Sequence, residues 1–231
     1  MFKIYIFATM KLDVSQTEEN YLKAIYNLFI ALDKPVSTNK IAQKLNTKAS
    51  SVTDMVKKLA EKKLVNYVKY QGVSLTVDGK SIAVKTIRKH RLWEVFLVRH
   101  LGFKWDEVHE VAEQLEHVKS VKLTAGLDVF LDFPRYDPHG DPIPDSDGNI
   151  ITRDVEVLSS LLINQSSKIV GVKDSSSAFL KYLDNAAIKL GAEVKVLHKE
   201  DFDHSMLLLI DDHKISISHQ ISSNLYVKHI N

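Results

Sequence analysis

Two spacings of histidine and glutamate carry the chemistry this chain could do. His109, Glu113, Glu116 and His117 stand at i, i+4, i+7 and i+8, and at 3.6 residues per turn all four fall within an arc of about 100° on one helix. Val111, Ala112, Leu115 and Val118 fill the adjoining arc and would seat that helix on a core. His90 and Glu94 form a further i, i+4 pair upstream. Imidazole and carboxylate groups on facing helices converge on a divalent cation, because rigid backbones fix each donor. The bland alternative is a solvated helix face, since His and Glu at this spacing are common on polar surfaces. The other histidines, His100, His139, His198, His204, His213, His219 and His229, have no partner at ligand spacing and are expected to be solvated or structural. The chain has no cysteine, which excludes thiolate zinc fingers, Fe–S clusters, disulfide scaffolds and cysteine nucleophiles, and fits a reducing compartment.

The elements that must hold these groups are legible from periodicity. Tyr21, Leu22, Ile25, Leu28, Phe29 and Leu32 repeat at helical spacing behind a Ser15-Gln16-Thr17-Glu18 start, where Ser15 or Thr17 can cap and Glu18 or Glu19 favours the first turn. A short helix over Ser37–Leu45, a turn at Asn46-Thr47-Lys48 and a helix over Ala49–Lys62 burying Val52, Met55, Val56 and Leu59 follow. Leu64–Val68 and Val73–Val77 flank Gly72 as a two-stranded hairpin. Helix, helix-turn-helix and hairpin in that order predict a winged helix-turn-helix. Lys80–His100, Trp105 to about Lys119, and Ser120–Phe133 read as three further helices. They end at a docked loop that holds Pro134, Pro138, Pro142 and Pro144. From Ser167 the period changes to short β-type runs, interrupted by a helix over Ser177–Leu190, which predicts a small barrel. The fold class is therefore mainly α with α+β parts. The expected division is 11–80 for the winged helix, 81–150 for the helical module, 151–166 for a linker and 167–231 for the barrel.

Charge is distributed unevenly. The window Lys34–Lys80 holds ten lysines against Asp54, Glu61 and Asp78, although the whole chain is only +2, so the remainder is net acidic. A basic module on an acidic body suits a localised polyanion partner. Thr47, Lys48, Ser50, Ser51 and Thr53 give the second helix of the turn a small polar entry face, as major-groove insertion requires. Lys57 and Lys58 lie further along toward phosphates, and Lys69 and Tyr70 lie on the wing. Asp54 departs from a purely basic face. The apolar stretch Phe2–Thr9 is interrupted by Lys3 and is too short for a signal core or a membrane span. A cytoplasmic protein with no membrane partner is expected, and Met10 is an alternative start.

Four strings then resemble the diphtheria-toxin-repressor and manganese-transport-regulator family of metal-dependent repressors. They are Thr17–Tyr26, Arg88–Glu94, Val108–Val118 and Pro138–Pro144. The match spans nearly the whole chain, including a C-terminal module similar to the SH3-like domain of longer members. The resemblance implies a homodimer that binds double-stranded operator DNA when metal is plentiful and controls metal-homeostasis genes. By matching position, His90, Glu94 and His109 would form one metal site. Asn20, Glu113, Glu116 and His117 would form a second, regulatory one, giving two ions per subunit. Iron-type members carry Met and Cys at the positions of Asn20 and Glu113, and manganese-type members carry Asp and Glu. This chain agrees with the manganese pattern at Glu113 and departs from both at Asn20. An oxygen-and-imidazole set suits Mn²⁺, with Fe²⁺ as the alternative. Ser175 and Ala178 stand where some relatives' third domain donates Glu and Gln, so that contribution is not expected in the same form, and Asp174 or a water is the candidate substitute. Two other readings fit the residues taken alone: a dinuclear metallohydrolase using a bridging water, and a winged-helix regulator that senses an organic ligand.

Overall fold

The computed structural model describes residues 13–230, so the Phe2–Thr9 stretch and Met10 lie outside the described residues. The chain divides into two compact units, one ending at Thr86 and the other beginning at Ile87.

In the first unit, α1 (Gln16–Leu32) opens on a capping box. Ser15 Oγ accepts the Glu18 N–H, and Glu18 Oε2 accepts the Ser15 N–H at 2.8 Å. Helices α2 (Thr38–Lys44) and α3 (Ala49–Glu61) are joined by a turn in which Asn46 takes φ 47° and the Thr47 N–H reaches Ala42 O at 2.9 Å. Asparagine tolerates that left-handed backbone better than most side chains. Strands β1 (Val65–Val68) and β2 (Gly72–Leu75) pair antiparallel, with Val65 opposite Leu75. The strand expected to run to Val77 stops at Leu75 because Thr76 Oγ1 accepts the Gly79 N–H at 3.1 Å and starts α4 (Val77–Leu101). A Cβ on Gly79 would lie 1.9 Å from Leu64 O, so the helix starts directly against the hairpin's main chain. Leu22, Ile25, Ile41, Val52, Val56, Leu59 and Leu64 are fully buried. Met55, expected among them, is half-buried.

The second unit contains the rest of α4, α5 (Val108–Leu115) and α6 (Val121–Phe130). Leu92, Val95, Leu127, Leu131 and Ile143 form one small core, and Leu97, Val108 and Ala112 another. The proline-rich loop is docked on α4. Arg88 donates to Pro144 O at 2.5 Å and pairs with Asp128, and Arg91 donates to Pro142 O at 2.5 Å.

The C-terminal module follows as β3 (Glu156–Val157), β4 (Ser166–Val172), α7 (Ser177–Asn185), β5 (Glu193–Lys199), β6 (Met206–Ile210), β7 (His213–Ile217), α8 (His219–Ser222) and β8 (Leu225–His229). Among the described residues these strands form one antiparallel sheet in the order β3-β8-β4-β5-β6-β7. Ladder irregularities between Ile169 and Gly171 and between Val196 and His198 bend it. Ile169, Val196, Leu208, Leu225 and Val227 cluster with Leu180 and Leu183 of α7 in a buried apolar core. The segment read as a linker differs from expectation, because Glu156–Val157 pairs with β8. The α7 helix ends at Asn185 rather than Leu190, where Ala187 turns to φ 55°.

Candidate metal centre and nucleic-acid surface

In the first unit, Thr47, Lys48, Ser50, Ser51, Lys57, Lys69 and Tyr70 are exposed along the start of α3 and on the wing. Lys48 is the N-cap of α3, and its side chain makes no capping bond. The first-turn N–H groups are therefore open to an outside anion. Asp54 is exposed and lies 3.9 Å from Lys57. Two of the expected DNA contacts are placed otherwise. Thr53 is half-buried and returns its hydroxyl to Ala49 O at 2.9 Å, satisfying it within the helix. Lys58 lies 3.2 Å from Glu18 Oε1, a fully buried carboxylate that also binds Lys62 at 2.8 Å. Burial alone would raise the Glu18 pKa, but the Lys62 and Lys58 ammonium groups and the Ser15 N–H together hold it down to about 2.

On α1, Asn20 is half-buried, and its side-chain oxygen is buried with no hydrogen-bond partner among the described residues. Such an oxygen is costly unless it receives a donor or a cation.

In the second unit, α4 presents His90 and Glu94 to His109 of α5. His90 Nε2 lies 3.0 Å from Glu94 Oε1 and 3.1 Å from His109 Nδ1, and the latter two atoms are 3.5 Å apart. Metal bonds of about 2.0–2.2 Å set neighbouring donors roughly 3.0–3.5 Å apart, so the three separations match those of donors sharing one cation. Glu113 Oε1 lies 3.5 Å from His109 Nε2, and one donor atom each of His90, His109 and Glu113 falls within a common 4.8 Å.

Glu116 continues the α5 backbone as its C-cap and meets α4 from there. It is fully buried and contacts His90 Nδ1 at 2.6 Å. A carboxylate on the rear nitrogen of a ligating imidazole fixes the tautomer and leaves the other nitrogen for the metal. His117 follows the helix end with its side chain buried, its Nε2 3.8 Å from Glu116 Oε1.

The structure adds two residues that spacing did not reveal. His139, expected to be solvated or structural, is buried with Nδ1 3.7 Å from Glu94 Oε2. Asp137 is buried beside it, and Glu94, Asp137 and His139 each offer a ligand atom within a common 4.8 Å. Asp137 Oδ1 accepts the main-chain N–H groups of His139 and Asp141 at 2.8 and 3.0 Å, which folds the loop tightly. His139 Nε2 donates to Trp105 O at 2.7 Å, so Nδ1 is the nitrogen that faces Glu94. Burial raises the Asp137 carboxyl to about 7, with the charges of Glu94 and Asp141 adding to it. Burial disfavours a charged His139, but Glu94 and Asp137 outweigh it and push the imidazole up to about 9. Burial likewise opposes ionised Glu94, yet hydrogen bonds from His109, His139 and His90 hold it well below the usual carboxylate range. Only the loop string around His139 could have pointed to this group, since neither residue lies on a helix.

Both clusters are nitrogen and oxygen sets around one shared carboxylate. The family model described as the iron dependent repressor N-terminal DNA binding domain matches residues 13–73. That of the iron dependent repressor metal binding and dimerisation domain matches 76–145, and that of the FeoA domain matches 157–229. The chain is similar to an uncharacterized HTH-type transcriptional regulator of Methanocaldococcus jannaschii, 38% identical over 52% of this chain and 95% of that one. It is similar to the iron-dependent repressor IdeR of Mycobacterium leprae, 34% identical over 57% of each chain, so that alignment spans little more than half of the relative's length. A solved manganese-dependent transcriptional repressor in complex with manganese superimposes with a TM-score of 0.82 at 33% identity, over 92% of this chain and all of that one. With the three modules matched in order and a manganese-dependent repressor superimposing over its whole length, the chain belongs to the diphtheria-toxin-repressor and manganese-regulator family of metal-dependent transcriptional repressors.

Proposed function

We propose that this chain is a cytoplasmic, Mn²⁺-activated repressor, with Fe²⁺ as the alternative ion, that binds operator DNA as a homodimer and controls metal-homeostasis genes without catalysing a reaction. The observation that carries the reading is the triangle of His90 Nε2, Glu94 Oε1 and His109 Nδ1 at 3.0–3.5 Å, made wholly of imidazole and carboxylate donors. Hard oxygen and borderline nitrogen donors without sulfur favour Mn²⁺ or Fe²⁺ over thiophilic metals. The likeness to the manganese-dependent repressor supports manganese.

DNA contact is assigned to residues 11–80, metal binding and dimerisation to 81–150, and the SH3-like module to the remainder, with the connection shortened to 151–155 by the β3 pairing. A bound ion would supply a positive charge that holds these donors together. His90, Glu94 and His109 would hold it, with Glu113 beside them and Glu116 orienting His90 from behind. Glu94, Asp137 and His139 form a second candidate group. Asn20, Glu113, Glu116 and His117 remain the proposed regulatory set, supported by the unsatisfied oxygen of Asn20. Val121, Leu123, Val129, Phe130 and Phe133 are exposed on and just beyond α6, and an apolar face of this kind supports a second copy as its cover. Among the described residues no helix is long and apolar enough to cross a membrane. Thr47, Lys48, Ser50, Ser51, Lys57, Lys69 and Tyr70 are the proposed DNA contacts, while Thr53 and Lys58 have their polar groups engaged inside the unit.

The differential affinity of an ion for the DNA-competent state sets how far it can shift binding, and operator must tighten ion binding by the same factor. The test is to select duplexes from a random library with Mn²⁺ present and titrate the best one with and without the metal. At least tenfold tighter binding with Mn²⁺ is expected, and equal affinity overturns the switch. An Asn20→Ala variant that keeps the full metal response removes Asn20 from the ligand set.

A further inference from the structure

The C-terminal module offers no acidic side chain at Ser175 or Ala178, and Asp174 is exposed, with Oδ1 accepting the Ser176 N–H at 2.8 Å ahead of α7. Its main chain, by contrast, is fastened to the loop that carries Asp137 and His139. The Val172 N–H donates to His139 O at 3.0 Å. Gly140 and Gly171 meet backbone to backbone: a Cβ on Gly140, whose φ is +89°, would lie 2.3 Å from Val170 O and 2.5 Å from Gly171 Cα. Arg153 closes this seam. Its Nη2 donates to Gly140 O at 2.8 Å and to Val170 O, and its guanidinium lies over the Tyr136 ring at 4.0 Å. One side chain thereby grips the loop on either side of Asp137 and His139 and ties it to β4.

We infer that Arg153 is a positioning residue for ion binding at Glu94, Asp137 and His139, through which the SH3-like module acts on that group by way of the main chain. The inference rests on the reading of those three residues as an ion site. Preorganisation of the loop is what Arg153 supplies. The His139 ring is oriented by its bond to Trp105 O and its near-parallel packing on Trp105, with the planes 10° apart. The Cα that carries the ring is fixed by β4 and, one residue on, by Arg153. A ligand whose backbone drifts must be ordered again when the ion binds, which costs affinity. Arginine is suited to the position because one planar head can both bridge two carbonyls and stack on an aromatic ring, whereas a lysine ammonium cannot do both.

The test measures Mn²⁺ stoichiometry and affinity by calorimetry on the full chain as wild type, His139→Ala, Arg153→Ala, Arg153→Lys and the His139→Ala/Arg153→Ala double variant. His139→Ala should lose one ion or weaken it severely. Arg153→Ala should weaken the same ion by about tenfold or more, the scale of supports that orient ligands, with Arg153→Lys recovering little. The double variant should be no worse than His139→Ala alone, since Arg153 acts only through that group. Should Arg153→Ala fail to fold, Gly171→Ala serves instead: its added Cβ would crowd His139 O at 3.3 Å and touch Arg153 Nη2 at 3.4 Å and Gly140 Cα at 3.5 Å while keeping the arginine, and a smaller weakening of the same ion is expected. Wild-type affinity in Arg153→Ala or, in its place, Gly171→Ala, or losses that simply add to those of His139→Ala, overturn the proposal while leaving the ion site standing. Unchanged binding in His139→Ala removes the ion site itself and the role of Arg153 with it.

Discussion

The two donor groups around Glu94 are built by different means. His90, Glu94 and His109 are placed by two helices, so their convergence follows from the pitch of α4 and α5 and from the small core of Leu97, Val108 and Ala112 beneath them. Asp137 and His139 belong to a loop whose shape depends on distant partners: Arg88 and Arg91 of α4, Trp105 O and β4. The helical group is rigid by local rules and keeps His109 largely exposed, whereas the loop group is buried and depends on tertiary docking. Local geometry can thus furnish a ligand pair on its own, while a loop ligand is only as good as the contacts that hold the loop.

The variant that breaks both groups at once should have the largest effect. Glu94→Gln removes the carboxylate whose Oε1 faces His90 and His109 and whose Oε2 faces His139. Mn²⁺ affinity measured by calorimetry should fall by more than about 100-fold, beyond the usual range for residues that only orient ligands. Retention of either ion at wild-type affinity would show that the two groups do not share this residue. Glu113→Cys tests the helical group alone: a thiolate should move the response from Mn²⁺ toward softer metals such as Cd²⁺, read as the metal concentration that half-saturates operator binding. An unchanged selectivity order counts against Glu113 as a ligand. Glu116→Gln keeps shape and hydrogen bonding at His90 Nδ1 but loses the charge, and should cost about tenfold in Mn²⁺ affinity. If the loss matches that of Glu94→Gln, Glu116 is itself a ligand rather than a support.

The smallest effect separates the groups by pH. Asp137 and His139 are held up to about 7 and about 9 in the metal-free protein, so at neutral pH they retain protons that a metal must displace. Affinity at the loop group should rise as pH increases through 7 to 9, with proton release visible when calorimetry is repeated in buffers of different ionisation enthalpy. Without metal the sign reverses. Both groups bind protons more tightly folded than unfolded, so the stability they provide is full below the unfolded values of 3.8 and 6.5 and is lost as pH climbs through about 7 and about 9. A melting temperature of metal-free protein that rises between pH 7 and 9 would contradict the burial that raises Asp137 and the pairing with Glu94 and Asp137 that raises His139.

The sequence revealed what periodicity encodes. The start of α1, the helix-turn-helix and the hairpin lie where spacing and turn chemistry put them, and the i, i+4 pairs His90/Glu94 and His109/Glu113 fall on helices as their spacing implied. The β6 strand was readable as a short continuous apolar run, Met206–Ile210, although the alternation of its buried side chains was not. What was hidden depends on contacts across long separations. His139 had no helical neighbour, and its partner lies 45 positions upstream on α4. Thr53 looked like part of a polar entry face, but a hydroxyl inside a helix can satisfy itself on the preceding turn. The β3 pair is two residues long and has no signal beyond its partner β8.

The buried Glu18 carboxylate changes how the lysine-rich window should be counted. The single Glu18 carboxylate offsets one of the two ammonium charges of Lys58 and Lys62, so the pair offers an arriving phosphate less than its formal charge. The formal charge of the segment therefore overstates its electrostatic footprint. Duplex affinity should decline with ionic strength less steeply than the lysine count alone implies, leaving a larger share of recognition to the uncharged serines and threonine at the head of the reading helix.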